Sequence, residues 1–305
     1  MKLEELPLTI LKEFWKGPKD LVSNYDFLKT ISVFGGIPRY LEEINPNETP
    51  EQNICRLCFN KNGFLLYEFD KIFSDIFSRR GPIYKKIVTQ LINGPLSVTE
   101  VIDKLKVDKS GSISRYLDDL VNSGFLSEDT IYDLNGKSSK FSKFRIKDNY
   151  LRFALNYIEP NKKRILDNNF SFTALESLSL WNTIMGLQFE NMILNNKELI
   201  IRYLNIDPNS IISSSPYFQR KTTKNKGGCQ IDLMITTKNF QIYLIEIKFA
   251  VKITSETIEE MKYKLNVLKR PKHYTVHPIL VYAGELSPSI MAANLFQLIS
   301  INDLI

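Results

Sequence analysis

Two short and otherwise apolar segments, QIDLMITT and FQIYLIEIKF, contain three charged residues, Asp232, Glu246 and Lys248. Such segments are typical of neighbouring strands. Side chains alternate between the two faces of a strand, so Glu246 and Lys248 share one face. A reversal around TTKNFQ would bring Asp232 beside Glu246. Two carboxylates suit Mg²⁺ or Mn²⁺, and a nearby lysine could orient water or stabilise charge developing on a phosphate. These residues predict a metal-dependent phosphodiesterase site, with Asp232 and Glu246 as metal ligands.

The same three charges also have a purely structural explanation. A buried Asp, Glu and Lys can neutralise one another without any chemistry. Two functions therefore stay open at this point. The first is a metal-dependent phosphodiesterase, and the second is a non-catalytic binding or docking module.

Composition sets broad limits on both functions. A chain of 305 residues, 43% hydrophobic and 24% charged, is long enough for two or three domains with proper cores. Its net charge of +6 is a mild excess, which permits DNA as a partner without requiring it. No apolar run approaches the roughly 18 to 20 residues that span a bilayer, and the first residues do not resemble a signal peptide. We expect a cytoplasmic protein that makes no membrane contact.

Two pairs of residues offer the chemistry of a zinc site. Cys55 and Cys58 are predicted on the apolar side of one helix, together with Phe59. His273 and His277 are predicted in one strand, where residues four apart lie about 13 Å apart at ~3.3 Å per residue. That separation is too large for one zinc ion. We therefore expect core cysteines and no structural zinc.

Residues 1–80 are predicted to be helical, and their most distinctive piece is GGIPRYLE. Gly35 and Gly36 permit a tight turn, and Pro38 suits the first turn of the following helix. This motif by itself indicates only a turn that leads into a helix.

Residues 81–135 have the pattern of three helices and a small hairpin, which predicts a winged helix-turn-helix. Ser97 and Glu100 have the spacing of a capping box at the start of the second helix. The predicted inward residues of the third helix are Ile113, Leu117, Leu120 and Val121.

The third helix of this module would be the one to contact DNA, with Arg115 as the candidate contact. Asp118 and Asp119 lie on the same helix and would repel phosphate. Docking against another protein therefore stays an alternative use of the module.

Residues 136–179 form a connecting segment in which basic and aromatic residues interleave. They are Lys137, Lys140, Lys143, Arg145 and Lys147, with Phe141, Phe144, Tyr150 and Phe153. This pattern suits a stripe that follows a nucleic-acid backbone, with the aromatic rings as stacking partners. It suits better a half-buried strand and helix with a solvated basic edge, which is the interpretation that we favour.

Residues 180–305 alternate helix, strands, helix and strand, which predicts a mixed sheet flanked by helices. A basic loop comes just before Asp232 and could hold the nucleic-acid backbone over a metal. Its alternative is a solvated and mobile hairpin. The basic residues of this loop are Arg220, Lys221, Lys224 and Lys226.

Asp232, followed after a short hairpin by Glu246-Ile247-Lys248, resembles the signature of the PD-(D/E)XK nuclease superfamily. Ile231 stands where the name of that superfamily has proline. The resemblance implies a restriction-endonuclease-like α/β domain and Mg²⁺-dependent endodeoxyribonuclease chemistry. It also implies that Glu190, in the GLQFE segment, is an additional acidic residue of the site.

The whole chain resembles something narrower. The segments GGIPRYLE, GPIYKKI, RIKDNYLRF and GLQFE to EIK occur in this order in a family of AAA-type ATPases from bacteria and archaea with a nuclease-like C-terminal domain. The resemblance implies a multidomain α plus α/β protein: a helical lid-like region, a winged helix-turn-helix and a PD-(D/E)XK domain. It also implies an ATPase partner or self-association. With this resemblance, the two open functions are a metal-dependent DNA endonuclease and a non-catalytic DNA-binding or protein-docking module of an ATPase. No G-x4-G-K-[ST] phosphate-binding loop occurs in the sequence, so we expect no ATP hydrolysis from this chain alone.

Overall fold

The computed structural model describes residues 5–11, 13, 23–77, 80–107, 111–134, 136–170, 174–220 and 227–305. The chain divides into two compact units. The first unit comprises Met1–Glu128 and Lys143–Met192, and the second comprises Asp129–Ser142 and Ile193–Ile305. Helices combine with a five-stranded mixed sheet, which confirms the mixed α/β class expected from the sequence. The domain limits at residues 80, 135 and 179 stay predictions.

The first unit is built mainly from helices. Their bounds are Leu8–Leu11 (α1), Asn24–Phe34 (α2), Pro38–Leu41 (α3), Pro50–Cys58 (α4), Glu68–Phe77 (α5), Gly81–Gln90 (α6), Val98–Leu105 (α7), Gly111–Asn122 (α8), Asn149–Phe153 (α9), Lys162–Leu166 (α10) and Trp181–Asn195 (α11). The first unit ends at Met192, so the last residues of α11 belong to the second unit. The strands Leu126–Tyr132 (β1) and Ser138–Ile146 (β2) form a two-stranded sheet, of which the residues within Asp129–Ser142 belong to the second unit.

Local sequence signals account for several of these boundaries. Gly35 ends α2 with φ of +67°, a conformation that favours glycine, and its N–H donates to the carbonyl of Ile31. Pro38 begins α3, as expected. At the start of α7 the hydroxyl of Ser97 accepts from the N–H of Glu100, whose carboxylate accepts from the N–H of Ser97. The predicted capping box is confirmed.

The order of α6, α7 and α8 followed by β1 and β2 matches the predicted order of three helices and a hairpin. Of the residues expected to face inward on α8, Ile113, Leu117 and Leu120 are buried, and Val121 is half-buried. The assignment of this segment as a winged helix-turn-helix stays a prediction.

The RIKDNYLRF segment lies inside the first unit. The side chain of Arg152 is 2% exposed and donates to the side-chain oxygen of Gln188 and to the carbonyls of Ile92 and Ile146. Burial lowers the pKa of Arg152 to about 10. Arg145 is also buried and donates to Asn191. These two arginines therefore serve the interior, which fits the half-buried alternative better than a stripe along a nucleic acid.

The second unit contains the larger sheet and its helices. Its strands are Ile211–Gln219 (β3), Cys229–Thr237 (β4), Gln241–Ile253 (β5), Thr275–Leu286 (β6) and Gln297–Ser300 (β7), and its helices are Lys197–Tyr203 (α12), Glu256–Val267 (α13) and Pro288–Ala292 (α14). The strand order follows the chain, with antiparallel pairs from β3 to β5 and parallel pairs from β5 to β7. The predicted mixed sheet is confirmed.

One face of this sheet packs against α13. Leu244 of β5 and Met234 of β4 belong to the same buried cluster as Met261 of α13. Glu246 and Lys248 are two and four positions beyond Leu244, so they point to that same face. The helix α13 therefore lies over the face of β5 that carries Glu246 and Lys248.

One sequence expectation needs correction at α4. Cys58 is buried, but Cys55 is exposed, although both were expected on the apolar side. The buried residues of this helix include Ile54 and Cys58, four positions apart. Successive residues are rotated by about 100° around a helix axis, so Cys55 points away from that stripe.

His273 also differs from expectation, because β6 begins only at Thr275. His273 therefore lies before the strand, where its ring packs edge-on against Phe240. His277 lies within the strand, and its Nε2 is 2.6 Å from the side-chain oxygen of Gln241. The two rings therefore contact different partners, Phe240 and Gln241. None of the helices described has both the length and the apolar character required to cross a bilayer.

Candidate functional site

The pairing of β4 with β5 sets Asp232 and Glu246 next to each other. The antiparallel register pairs Leu233 with Ile245, and Asp232 and Glu246 are the next residues outward along the two strands. A carboxylate oxygen of Asp232, Oδ2, accepts a hydrogen bond of 2.8 Å from the backbone N–H of Ile247. The predicted reversal between the strands therefore brings these two acidic residues together.

Glu246 is the most deeply buried member of this site, with a side chain that is 1% exposed. Its Oε2 accepts from the ammonium of Lys264 at 2.5 Å, whereas its Oε1 has no hydrogen-bond partner among the described residues. Burial, with a further contribution from the charge of Asp232, raises the pKa of Glu246 to about 8 despite the opposing charge of Lys264. A buried carboxylate oxygen without a partner needs either a proton or a cation.

Asp232 is half-buried, and burial raises its pKa as well. The positive charge of Lys264, the N–H of Ile247 and the charge of Lys248 oppose this rise. Two neighbouring carboxyl groups whose pKa values are both raised bind a cation more readily than they hold two negative charges alone.

Lys248 lies on the same face of β5, as the alternation of side chains predicts. Its ammonium donates to Oε2 of Glu260 at 2.6 Å. Burial tends to lower the pKa of Lys248, but the hydrogen bond and charge of Glu260 and the charges of Asp232 and Glu246 outweigh burial and raise it. Lys248 is therefore held in its charged form.

The sequence analysis missed the two residues of α13 that complete this arrangement, Glu260 and Lys264. They are four positions apart and so lie one above the other on a single helix face. Glu260 pairs with Lys248, and Lys264 pairs with Glu246. Their spacing on either side of the core residue Met261 is the signal that could have placed them toward the sheet.

Glu190 lies in α11, within the first unit, and is half-buried. Its negative charge acts on the neighbouring Arg152, whose pKa it tends to raise. Its approach to Asp232 and Glu246 stays a prediction.

The predicted nucleic-acid contacts fall partly outside the described residues, where Lys221, Lys224 and Lys226 all lie. Arg220 is exposed, and its guanidinium lies over the ring of Phe141, 4.4 Å from the ring centre. Arg115 is exposed on α8. An exposed arginine is accessible to phosphate, but these contacts with DNA stay predictions.

The carboxylates of Asp232 and Glu246 fit a magnesium or manganese ion in number and chemistry. Within the described ranges, no three side chains among His, Cys, Asp and Glu gather into a group that could hold a metal. Mg²⁺ usually keeps several waters and takes only one or two protein carboxylates, with substrate phosphates completing its octahedral shell. Two carboxylates, one of them with an unpartnered buried oxygen, are therefore sufficient for such an ion.

A separate cavity of about 370 Å³ lies in the first unit. Pro38 and Arg39 of GGIPRYLE line it together with Lys147 and Asp148 of RIKDNYLRF. Asp148 caps α9, and burial raises its pKa to about 6. Two motifs far apart in sequence thus meet around one cavity, which contains no member of the carboxylate site.

No protein-family model matches the chain. An uncharacterized protein of Methanocaldococcus jannaschii, MJECL04, is 28% identical over 258 residues, which cover 82% of this chain and 53% of that protein. The chain thus spans about half the length of this relative. The crystal structure of protein VC1899 from Vibrio cholerae aligns over 79% of this chain and 53% of its own, with 16% identity and a TM-score of 0.31. That TM-score is too low to indicate a shared fold.

Proposed function

We propose that the chain is a metal-dependent nuclease that acts on DNA, with Asp232 and Glu246 as the ligands of Mg²⁺ or Mn²⁺. The observation that carries this proposal is Oε1 of Glu246, which is buried beside a second carboxylate and has no partner among the described residues. Leaving a buried acceptor unpaired costs about 1–3 kcal/mol or more. A divalent cation would remove that cost and give the two carboxylates a function.

The residues of this site suit hydrolysis of a phosphodiester. Asp232 and Glu246 would hold the Mg²⁺, which would supply Lewis acidity and a more acidic bound water. The N–H of Ile247 fixes the orientation of the Asp232 carboxylate. The ammonium of Lys248, on the same face of β5, would stabilise negative charge that develops on the phosphate oxygens.

DNA is the proposed substrate for two reasons. The site resembles that of PD-(D/E)XK nucleases, and α6 to α8 with the following hairpin have the element order of a winged helix-turn-helix. On the same grounds we propose that the chain is related to AAA-type ATPases with a C-terminal nuclease-like domain. An ATPase or a second copy of the chain is then the proposed protein partner.

A specific observation favours the second candidate function, a non-catalytic DNA-binding or docking module. The charges on β5 already have partners on α13, because Lys264 pairs with Glu246 and Glu260 pairs with Lys248. A fully paired network can stabilise a fold without chemistry. The unpartnered Oε1 of Glu246 favours the metal site over this alternative.

Asp232→Asn tests the proposed function. We expect the unaltered chain to cleave DNA with Mg²⁺ or Mn²⁺ but not with EDTA, and the variant to lose roughly 10³-fold or more of that rate. DNA binding should persist, because the ligand serves the reaction more than affinity. Cleavage of labelled duplex, single-stranded and branched DNA is the measurement.

The matched control is Glu285→Gln, which removes an exposed carboxylate from the same sheet. It should leave cleavage unchanged. Cleavage that survives Asp232→Asn would reject the metal-ligand assignment. DNA binding by the unaltered chain without cleavage of any substrate would favour the docking module.

A further inference from the structure

The helix α13 sets one acid and one base over the charged face of β5. The ammonium of Lys264 is 2.5 Å from Oε2 of Glu246, and the ammonium of Lys248 is 2.6 Å from Oε2 of Glu260. The side chain of Lys264 is only 16% exposed, so its contact with Glu246 lies inside the fold. This contact is therefore a built part of the site.

We propose that Lys264 competes with the divalent cation for Glu246: its ammonium occupies Oε2 and repels a cation at the neighbouring Oε1, so that metal binding favours displacement of the ammonium. This inference rests on the proposed metal site and concerns how that site is regulated. The metal and the lysine compete for the same carboxylate, so Lys264 lowers the affinity of the site for the metal. We call this role of Lys264 the gate.

The charges of the side chains at this site support the competition between the metal and Lys264. Asp232 and Glu246 together carry two negative charges when ionised, which match a divalent cation. With Lys264 in contact, the three side chains carry one net negative charge, and an arriving cation is also repelled by the ammonium. The site is partly buried, so water and salt screen this repulsion less than they would at the surface.

Displacement does not leave the ammonium without an acceptor. Glu260 lies one helix turn before Lys264, at the spacing where side chains on a helix form ion pairs. Glu260 already accepts from Lys248 through Oε2, but its side chain is about half exposed, so its second carboxylate oxygen could accept from Lys264 at low cost. Lys264 can therefore leave Glu246 and share the Glu260 carboxylate with Lys248.

Lys264→Met tests the gate, because it keeps most of the side-chain volume and removes the charge. We expect the variant to bind Mn²⁺ about tenfold more tightly than the unaltered chain, since one competing unit charge has gone. Binding is measured without DNA, by titration calorimetry and by the paramagnetic resonance signal of free Mn²⁺. Lys264→Gln is a second variant, which retains a hydrogen-bond donor without the charge and serves if methionine impairs folding.

Lys262→Met is the matched control, because it removes a charge from an exposed lysine of the same helix that pairs with Glu259. It should leave Mn²⁺ affinity unchanged, and Asp232→Asn should abolish binding in every background. Unchanged or weaker binding in both Lys264 variants, while binding still depends on Asp232, would overturn the gate and leave the metal site in place. Absence of Mn²⁺ binding in all variants would reject the proposed metal site, and the gate with it.

Discussion

Glu246→Gln is expected to abolish metal-dependent cleavage and, in the same protein, to increase the stability of the metal-free fold at pH 8. The loss of cleavage should be roughly 10³-fold or more, because an amide is a poor ligand for Mg²⁺ and the buried oxygen can no longer be charged. The gain in stability follows from burial, which makes the charged form of Glu246 costly.

The pH dependence fixes the sign of this stability effect. Burial raises the pKa of Glu246 from 4.5 to about 8. A carboxyl group whose pKa is raised in the folded state contributes stability that is complete below its unfolded pKa and is lost as pH rises through the folded value. Glutamine resembles the protonated form and has no such loss. As pH rises from 5 to 8, the free energy of unfolding of the unaltered chain should therefore fall by a few kcal/mol, as an order of magnitude, relative to that of the variant.

Urea unfolding in EDTA at the two pH values measures this difference. Glu259→Gln, on the exposed side of α13, is the control and should change neither cleavage nor the pH dependence. A variant that is less stable than the unaltered chain by the same amount at both pH values would show that Glu246 is needed as an ionised partner of Lys264. That result would support the ion-network alternative.

Arg152→Met should cause the largest loss of stability in the first unit, about 3–5 kcal/mol. Its guanidinium donates to the carbonyls of Ile92 and Ile146 and to Gln188, and all of these acceptors would lose a charged donor. Methionine keeps most of the apolar volume, so the loss would report the hydrogen bonds rather than a cavity.

Thermal or urea unfolding followed by circular dichroism measures the effect of Arg152→Met. The exposed Arg164, which lies against Phe170, provides the control Arg164→Met, with an expected change below about 1 kcal/mol. An equally small change for Arg152→Met would show that the RIKDNYLRF segment does not depend on this buried arginine.

The site was partly predictable because strand alternation is a local rule. The two-residue period of β5 placed Glu246 and Lys248 on one face, and the short reversal before it brought Asp232 to Glu246. Lys264 and Glu260 were missed because their role depends on how α13 is rotated over the sheet. That rotation is set by packing of Met261 into the buried cluster that also contains Leu244, an arrangement of distant segments that a local pattern does not show.

The errors in the fold have similar causes. The strand β7 was not among the strands expected from the sequence, because its four residues are too few for a periodic pattern to stand out. Cys55 was placed on the wrong side of α4 by one residue, and a single step turns a helical side chain by about 100°. Arg145 and Arg152 are not among these errors, because the favoured interpretation placed their segment in a half-buried strand and helix. The sequence gives their charge, and the surrounding carbonyl and amide acceptors show how deeply that charge is buried.

A crystal soaked in Mn²⁺ would test the central claim most directly, by anomalous scattering. We predict one strong anomalous peak between Asp232 and Glu246, about 2.2 Å from Oε1 of Glu246, with the ammonium of Lys264 moved away from that carboxylate. The soak should use a Mn²⁺ concentration that fills the sites of other Mn²⁺-binding proteins. A map with no manganese at these carboxylates and with the contact between Lys264 and Glu246 unchanged would then contradict the proposed metal site.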